Sequence, residues 1–446
     1  MPRKPINRRS FVNDTAKAGL AFTIVPRHVL GRGLRAPSDT LNVACVGVGG
    51  MGWSDVRGMA VENIYALCDV DEKQAEEAFT AYPKAKRYRD FRQMFDGEAD
   101  NIDAVTVTTP DHSHTVIALR ALRERKPVYV QKPLTRTLHE VRTLVEAARR
   151  SGLATQMGNQ GHAREGTRLI REWVAAGAIG AVREVHFWTN RPIWPQAIDR
   201  PLQDYHVPPW MNWDVWLGPA PERPYHPSYA PFNWRGWWDF GTGALGDMAC
   251  HIMDAAFWTL DLRGPSRIEV ESTPLFNETA PRGSRISYQF PARGGRGPVT
   301  VVWRDGALYP PRPPEVADGA AWPPDEGGGQ LWIGSDGKLV AGTYGDDPTL
   351  LDERRHREIT ASPPAQKYPR TEGVYAEWIA ACKGGPAAGS NFVDHSGPLT
   401  EMVLLGNLAG RAGRTLELNP ETGAVTNVQL PDELIRPAYR EGWSLE

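Results

Sequence analysis

The stretch LNVACVGVGGMG, residues 41–52, constrains the fold of this chain more than any other. An apolar run of strand length is followed by three glycines spaced as G-x-G-x-x-G and then by a helical pattern. Strand, tight turn and helix in this order are typical of the first unit of a Rossmann-type dinucleotide-binding domain. The glycines permit the sharp turn, the close approach of a pyrophosphate and tight helix packing. The residues expected to line the pyrophosphate site are Gly47, Gly49, Gly50, Met51 and Gly52.

A carboxylate ends the second predicted strand. The apolar run NIYALC is followed by Asp69, 22 residues after Gly47. An acid at this position can accept a hydrogen bond from the ribose 2'-hydroxyl of NAD and repels the 2'-phosphate of NADP. Because no arginine directly follows Asp69, we predict NAD as the cofactor in preference to NADP. The alternative is that Asp69 only caps the helix that begins near Glu72, although Asp71 could fill that role instead.

Further alternation of strand and helix patterns predicts a parallel sheet. IDAVTVTTP and PVYVQKP are strand patterns, and SHTVIALRALRERK between them is a helical pattern. Ligands of such sheets bind beyond the carboxyl ends of the strands. The spacing of the two histidines in HSH could suggest a metal, but no third ligand is near in sequence, and we predict no metal site. The residues expected to face the cofactor from these strand ends are Thr109, Pro110, His114, Gln131 and Lys132.

The segment LGDMACHIMD, residues 245–254, is predicted to be an apolar helix with one polar stripe. Asp247, His251 and Asp254 are four and three residues apart, so they share one helical face. Since histidine titrates near neutral pH, His251 is a candidate general base. Asp247 could orient its imidazole and stabilise the protonated form. The alternative is that these residues are buried polar groups that only link helices.

Taken together, these motifs resemble the Gfo/Idh/MocA oxidoreductase family. The likeness covers most of the chain after residue 40 and includes VACVGVGGMG, ALCDVD, TTPDHSHTVIAL, VYVQKPLT, TQMGNQGH and WWDFGTGALGDMACHIMD. The resemblance implies hydride transfer between NAD(P) and a hydroxyl carbon of a sugar, polyol or glycoside. It also implies that Lys132 is the family's catalytic lysine and that Asp247 and His251 are its Asp-x-x-x-His pair. Gln131 replaces the family's usual glutamate, and we expect Lys132 to remain catalytic.

A tryptophan-rich segment follows the predicted nucleotide domain. Eight of the sixteen tryptophans lie between residues 188 and 238, among many prolines, which predicts an ordered loop excursion. These aromatic side chains could form a substrate wall, an oligomer interface or both. The candidate substrate-binding residues are Asn159, His162, Arg235, Trp238 and Asp254.

The patterns predict an α/β Rossmann-type nucleotide-binding domain followed by an α+β domain with an open-faced, mostly antiparallel sheet. Residues 41–157 are assigned to the first domain and 158–446 to the second. SRISYQF, GPVTVVW, GGQLWIG and GKLVAG are strand patterns, whereas segments near 371–383 and 398–412 are helical patterns.

Residues 1–40 differ in composition from the rest of the chain. Arg8 and Arg9 are followed by Ser10, Phe11 and a weakly apolar stretch, a pattern that resembles a twin-arginine export signal. Because this route carries folded proteins, we expect a periplasmic or otherwise exported protein with tightly bound NAD, handled by the twin-arginine export machinery. Asn7 and the lack of a clear cleavage site leave a basic tail on a cytoplasmic protein as the alternative.

Net charge and the length of the apolar segments argue against nucleic acid as a partner and against a membrane span. The formal net charge of −2 does not favour nucleic acid, and no apolar segment is long enough to span a bilayer. We therefore predict an enzyme that acts on a small sugar, polyol or glycoside and forms a homo-oligomer, a dimer or tetramer. One alternative is a redox-assisted glycoside hydrolase or lyase that recycles NAD in each turnover. Another is an inactive protein that only binds cofactor or carbohydrate.

Overall fold

The computed structural model describes residues 39–446. The arginine pair Arg8 and Arg9 and the export signal predicted around it lie outside these described residues. Within them, no helix is both long enough and apolar enough to cross a membrane.

The first half of the described chain is built on a six-stranded parallel sheet. Its order is β3-β2-β1-β4-β5-β6, and every neighbouring pair is parallel. The central strands are almost wholly buried because helices cover both faces, which explains their continuous apolar runs. The strands are β1 (Asn42–Val46), β2 (Asn63–Cys68), β3 (Lys86–Tyr88), β4 (Ala104–Val107), β5 (Val128–Val130) and β6 (Thr155–Met157).

Helices connect these strands in the alternation that the sequence predicts. They are α1 (Met51–Gly58), α2 (Glu72–Ala81), α3 (Phe91–Glu98), α4 (Asp111–Arg123) and α5 (Leu138–Ser151), with a short 3-10 turn at Ala99–Asn101. Asp71 caps α2, because its carboxylate accepts from the amides of Lys73 and Gln74. The alternative that Asp69 provides this cap is therefore wrong.

The second half contains an eight-stranded sheet of order β13-β12-β11-β7-β10-β9-β8-β14. Six neighbouring pairs are antiparallel and only β7 with β10 is parallel, which confirms the predicted mostly antiparallel sheet. Its strands are β7 (Val182–Thr189), β8 (Arg267–Ser272), β9 (Ser284–Phe290), β10 (Val299–Arg304), β11 (Gly328–Gly334), β12 (Lys338–Gly342), β13 (Thr349–Leu350) and β14 (Leu416–Glu417).

Helices pack around this second sheet, and one of them contacts its central strands. The helices are α6 (Glu165–Ala175), α7 (Trp213–Leu217), α8 (Gly243–Ile252), α9 (Asp254–Leu260), α10 (Glu353–Ala361), α11 (Val374–Cys382), α12 (Gly397–Ala412) and α13 (Asp432–Ile435). Short 3-10 turns lie at Gln160–Ala163 and Asn233–Gly236, and a π-helical turn lies at Phe392–Ser396. Helix α8 contacts β7, β11 and α12, and α12 contacts β8. Asp247, Met248 and His251 of α8 line a cavity that residues of the first domain also line.

The tryptophan-rich excursion has the irregular structure that its prolines predict. Throughout the described stretch 190–242, regular structure is limited to the five residues of α7 and one 3-10 turn. Its core is aromatic: Trp213, Trp216 and Trp237 pack with Tyr229 and Phe240. The excursion is thus an ordered lobe with its own small apolar core.

Candidate active site

A cavity of about 640 Å³ lies between the two halves of the chain. From the first half it is lined by the glycine-rich loop and by the ends of β2, β4 and β5. The predicted cofactor residues found there are Gly47, Gly49, Gly50, Met51, Asp69, Thr109, Pro110, Gln131 and Lys132. From the second half its main polar and aromatic lining residues are Arg191, Trp194, Trp216, Phe232, Trp234, Arg235, Asp247, His251 and Tyr344.

At three positions of the glycine-rich loop there is no room for a side chain. Gly47 has a positive φ of 77°, and a Cβ there would lie 2.5 Å from the Thr108 carbonyl oxygen. A Cβ on Gly49 would lie 2.7 Å from Gln74. At Gly52 it would lie 2.1 Å from the Gly47 carbonyl oxygen, so Gly52 packs α1 on the strand and does not line the cavity. This backbone cradle at the start of α1 fits a dinucleotide pyrophosphate.

Asp69 faces the same cradle. Its carboxylate accepts from the backbone amides of Val48, at 2.8 Å, and Gly49, at 3.3 Å, and its other oxygen accepts from the amide of Asp71 at 2.9 Å. Burial raises its pKa, and these amide contacts oppose that rise. Asp69 and Asp71 both line the cavity. The predicted contact of Asp69 with a ribose hydroxyl stays a prediction.

His114 does not line the cavity, contrary to the sequence prediction. Its two ring nitrogens lie 2.9 Å from the carbonyl oxygen of Pro133 and 2.8 Å from that of Thr109. The first turn of α4 aims the ring at the backbone of two strand ends, and burial lowers its pKa to about 4. His114 therefore braces the strand ends instead of meeting the cofactor. His112 likewise lies against the carbonyl oxygens of Trp216 and Phe240.

Lys132 and Asp247 meet across the cavity although they are 115 positions apart. The Lys132 ammonium donates to Asp247 Oδ1 at 2.9 Å and to the Asp247 carbonyl oxygen at 2.7 Å. Arg235 Nε contacts the same Oδ1 at 3.3 Å. Burial would raise the pKa of Asp247, but the charges of Lys132 and Arg235 outweigh it and lower the pKa to about 2. Asp247 is thus an ionised anchor for two cations.

His251 lies in the cavity, and among the described residues no hydrogen bond joins it to Asp247, so Asp247 does not orient its imidazole by direct contact. The Asp247 carboxylate turns towards the two cations, which attract it more strongly than a neutral imidazole does. His251 Nδ1 is buried and has no hydrogen-bond partner among the described residues. Its ring edge meets Tyr344 at a centroid distance of 4.9 Å. Burial and the Lys132 charge lower its pKa to about 3, which keeps the imidazole neutral.

Asp254 belongs to a separate buried cluster. Helix α8 ends at Ile252 and Asp254 begins α9, so the predicted polar stripe is interrupted. The Asp254 carboxylate accepts from Asn159 Nδ2 at 2.8 Å and contacts His162 Nδ1 at 3.0 Å and His395 Nε2 at 2.6 Å. Burial would raise the pKa of Asp254, but the two imidazoles outweigh it and hold the pKa well below its usual range.

None of these clustered side chains lines the cavity, which corrects the assignment of Asn159, His162 and Asp254 to the substrate. All are buried, because they join the loop after β6 to α9 and to the π-helical turn. The potential ligand atoms of His162, Asp254 and His395 lie within 4.8 Å of one another, a composition that can bind a metal. The hydrogen bonds among them already satisfy the carboxylate without an ion. Sequence spacing gave no indication of His395.

Part of the tryptophan cluster forms a wall of the cavity. Trp194, Trp216 and Trp234 line it. The Arg235 guanidinium lies 4.3 Å from the centre of the Trp234 ring, so the predicted Arg235 is at the site. Trp238 is not: it lies outside the cavity, where its ring faces Arg411 at 5.3 Å. The excursion's fold, set by its aromatic core, turns Trp238 away.

Asp111 is a cavity residue that sequence reasoning missed. It begins α4 directly after Pro110, and its Oδ2 accepts from the Thr242 hydroxyl at 2.7 Å. Burial raises its pKa to about 7, against the lowering effects of Thr242 and Lys132. Its place next to a strand-end proline was the signal that could have identified it.

Comparison with known proteins supports the assignment of both halves. Residues 41–159 match the model of the Gfo/Idh/MocA oxidoreductase family for its NAD-binding Rossmann fold, and residues 182–295 match the model for its C-terminal α/β domain. Together the two matches cover just over half of the chain.

Among curated relatives are inositol 2-dehydrogenases. That of Burkholderia multivorans is 31% identical over 153 residues, which are 33% of this chain and 45% of the relative. That of Rubrobacter xylanophilus is 30% identical over 158 residues, 33% of this chain and 43% of the relative. The chain thus aligns with slightly less than half the length of these relatives.

Solved structures show the same fold. The WlbA dehydrogenase of Bordetella pertussis, in complex with NADH and UDP-GlcNAcA, matches with a TM-score of 0.58 and 15% identity over 85% of this chain and 99% of its own. The aldose-aldose oxidoreductase of Caulobacter crescentus matches with a TM-score of 0.57 and 17% identity over 85% of this chain and 100% of its own. At this level of identity the likeness concerns the fold alone.

Proposed function

Because the chain belongs to the Gfo/Idh/MocA oxidoreductase family, we propose that it is an NAD-dependent dehydrogenase of a sugar, polyol or glycoside. It transfers hydride between the carbon of a secondary hydroxyl and nicotinamide. One observation carries this proposal: a single cavity brings together the glycine-rich cradle, the Lys132 ammonium and the His251 imidazole. The inositol 2-dehydrogenases among its relatives support a polyhydroxylated substrate.

Different residues of the cavity have different roles in the proposed alcohol oxidation. A bound nicotinamide would accept the hydride, and the glycine-rich cradle and the strand ends would hold it. His251, whose neutral imidazole lines the cavity, accepts the hydroxyl proton. Because its pKa is low, proton transfer depends on Lys132, whose positive charge stabilises the developing alkoxide. Asp247 holds the ammonium in place through two contacts.

The walls of the cavity suit a sugar ring. Trp194 and Trp234 line the cavity, and Arg235, whose guanidinium lies over both rings, can donate to hydroxyl oxygens. At the other end, the carboxylates of Asp69 and Asp71 disfavour a 2'-phosphate, which supports NAD over NADP.

The test is turnover by the purified protein. We would incubate it with NAD or NADP and a panel of inositol, neutral monosaccharides and methyl glycosides, and follow the absorbance of the reduced cofactor. Net NADH formation with at least one member supports the dehydrogenase, and its loss in Lys132→Ala identifies the site. Glycoside cleavage without net NADH would overturn net dehydrogenation in favour of a redox-assisted glycosidase. Cofactor binding with neither reaction would favour an inactive binding protein.

We further propose export by the twin-arginine route and assembly into a homo-oligomer. The sequence of Arg8, Arg9 and Phe11 supports the first proposal. The exposed apolar side chain of Leu202 on the excursion supports the second. Fractionation of cells that express the wild type or the Arg8→Lys/Arg9→Lys variant tests export. Light scattering of the purified protein tests assembly, and a monomer mass would contradict it.

A further inference from the structure

Asp55 is a buried carboxylate that the proposed reaction does not use. It lies on α1, fully buried, and it accepts four hydrogen bonds. Oδ1 accepts from the Tyr375 hydroxyl at 2.7 Å and from Gln131 Nε2 at 3.1 Å. Oδ2 accepts from the Thr108 hydroxyl at 2.7 Å and from the same Gln131 nitrogen at 3.0 Å. Among the described residues, no lysine or arginine forms an ion pair with it, so neutral donors alone hold its charge.

These bonds join four elements at the floor of the cavity. Asp55 belongs to α1, Thr108 follows β4, Gln131 follows β5, and Tyr375 lies on α11 in the second half of the chain. Gln131 Oε1 in turn accepts from the backbone amide of Lys132 at 3.3 Å. The carboxylate is therefore two contacts away from the backbone that carries the catalytic ammonium.

Two glycines pack closely against the donors of this network. A Cβ on Gly158 would lie 2.6 Å from Gln131 Cδ, so the carboxamide has no room to move towards β6. A Cβ on Gly58 would lie 2.6 Å from the Tyr375 ring, so the tyrosine is seated directly on α1. Gln131 and Tyr375 therefore pack against Gly158 and Gly58, and their polar atoms donate to the Asp55 carboxylate.

The identity of residue 131 follows from this contact. A glutamate at position 131, usual in the motifs that this chain resembles, would place a second carboxylate within hydrogen-bond distance of Asp55. Two carboxylates that share one site cannot both be ionised at low cost. A glutamine avoids the conflict because its amide donates to Asp55 and its carbonyl accepts from Lys132. The negative charge therefore lies on α1 and not at the strand end.

We propose that Asp55 is a positioning residue for Lys132, which carries through Gln131 the negative charge that a glutamate at position 131 would otherwise supply. The pair Asp55 and Gln131 is then one functional unit, in which charge and amide can be exchanged between the two positions. The kinetic consequence rests on the proposed function, whereas the structural coupling between the two side chains does not.

A charge-swap cycle tests this inference. Asp55→Asn and Gln131→Glu are each expected to lower kcat by about 10- to 100-fold, because a small displacement of Lys132 costs that much. In Asp55→Asn, which lies outside the cavity lining, the KM for NAD should stay within about threefold, since the loss is in the transition state. Each change should also lower the unfolding temperature by about 3–6 °C. The double variant Asp55→Asn/Gln131→Glu restores one carboxylate facing one amide, so it should recover kcat and unfolding temperature to near wild-type values.

Tyr375→Phe is the matched control, because it removes one donor to Asp55 without moving charge. Adding Gln131→Glu to it should give no rescue. The inference is overturned if the single changes alter neither kcat nor the unfolding temperature. It is also overturned if the losses in the double variant equal the summed losses of the two single variants, or if Gln131→Glu rescues Tyr375→Phe as well as it rescues Asp55→Asn. If Asp55→Asn alone does not fold, folding of the double variant is the expected rescue and its failure overturns the proposal. Unfolding temperatures report the coupling even if no sugar is oxidised, so the two proposals fail separately.

Discussion

A single carboxylate, Asp247, determines how charge is arranged where the proposed reaction takes place. It pairs with Lys132 and Arg235, which come from two other parts of the chain. Asp247 makes no hydrogen bond to His251 among the described residues, and burial together with the Lys132 charge lowers the pKa of His251 and keeps its imidazole neutral. The sequence showed which face of the helix is polar. It could not show which partner Asp247 would take, because that depends on residues that reach it from β5 and from the excursion.

Loss of the His251 imidazole should affect turnover and leave cofactor binding intact. His251→Ala removes the proton acceptor, so kcat should fall by roughly 10²–10⁴-fold, the usual effect of general acid–base catalysis. NAD should still bind, because the cradle lies on the other half of the chain. Steady-state kinetics and fluorescence titration with NAD measure the two effects. Turnover at the wild-type rate would remove His251 from the mechanism.

Asp111 should make stability depend on pH. Its folded-state pKa, about 7, lies above the ordinary value of 3.8, so the folded protein retains a proton that the unfolded chain releases. This contribution is fully present below about pH 4 and is lost as pH rises to about 7, with a maximum loss on the order of 4 kcal/mol. Asp111→Asn removes the titration. Its unfolding temperature relative to wild type should therefore rise between pH 5 and pH 8.

Asp199→Asn makes the same substitution at an exposed position and is the matched control. Its unfolding temperature relative to wild type should be the same at pH 5 and at pH 8. Thermal unfolding of cofactor-free protein at each pH is the measurement. A constant difference between Asp111→Asn and wild type across this range would mean that Asp111 is already ionised at pH 5.

At the scale of elements, the break between α8 and α9 separates the cavity residues Asp247 and His251 from the buried cluster around Asp254. The apolar pattern of residues 245–254 predicts one continuous helix, and no proline marks an interruption. In the structure, α8 ends at Ile252, and Asp254 starts α9 and turns to His162 and His395. Helical spacing is a local signal, whereas this break accompanies contacts with chain segments about 90 residues before and 140 residues after it.

Asp254→Asn should therefore destabilise the fold without weakening cofactor binding. The amide keeps an acceptor oxygen for Asn159 and His395, which both contact Oδ1, but at the position of Oδ2 it places an N–H group against His162 Nδ1. Leaving buried donors unsatisfied costs about 1–3 kcal/mol each, so the unfolding temperature should drop clearly. Calorimetry and NAD titration separate the effects. A stable variant with weakened substrate or NAD affinity would place Asp254 at the cavity after all.

For the whole molecule, the two-part architecture was predictable and the order of the second sheet was not. Repeated strand–helix units and the glycine spacing predict the parallel sheet directly, because each unit is local. The alternating segments after residue 264 predict strands, and four of them are present. Their order, with β7 parallel to β10 in the middle, depends on pairing between segments more than a hundred residues apart, which no local pattern encodes. The cavity exists only because both halves pack together.

Cofactor choice should be visible in the stability of the whole chain. A ligand that binds only the folded state stabilises it by about 2.7 kcal/mol at a hundredfold excess over its Kd, so NAD should raise the unfolding temperature more than NADP does.

Asp69→Asn keeps an acceptor for the amides of Val48 and Gly49 and removes the charge that repels a 2'-phosphate. The ratio of the two Kd values should then shift towards NADP by about tenfold, or about 1.4 kcal/mol. Since Asp71 retains its charge beside the same cavity, some preference for NAD should persist. An unchanged ratio in Asp69→Asn would show that its carboxylate serves only the loop amides and that selectivity comes from elsewhere in the cradle.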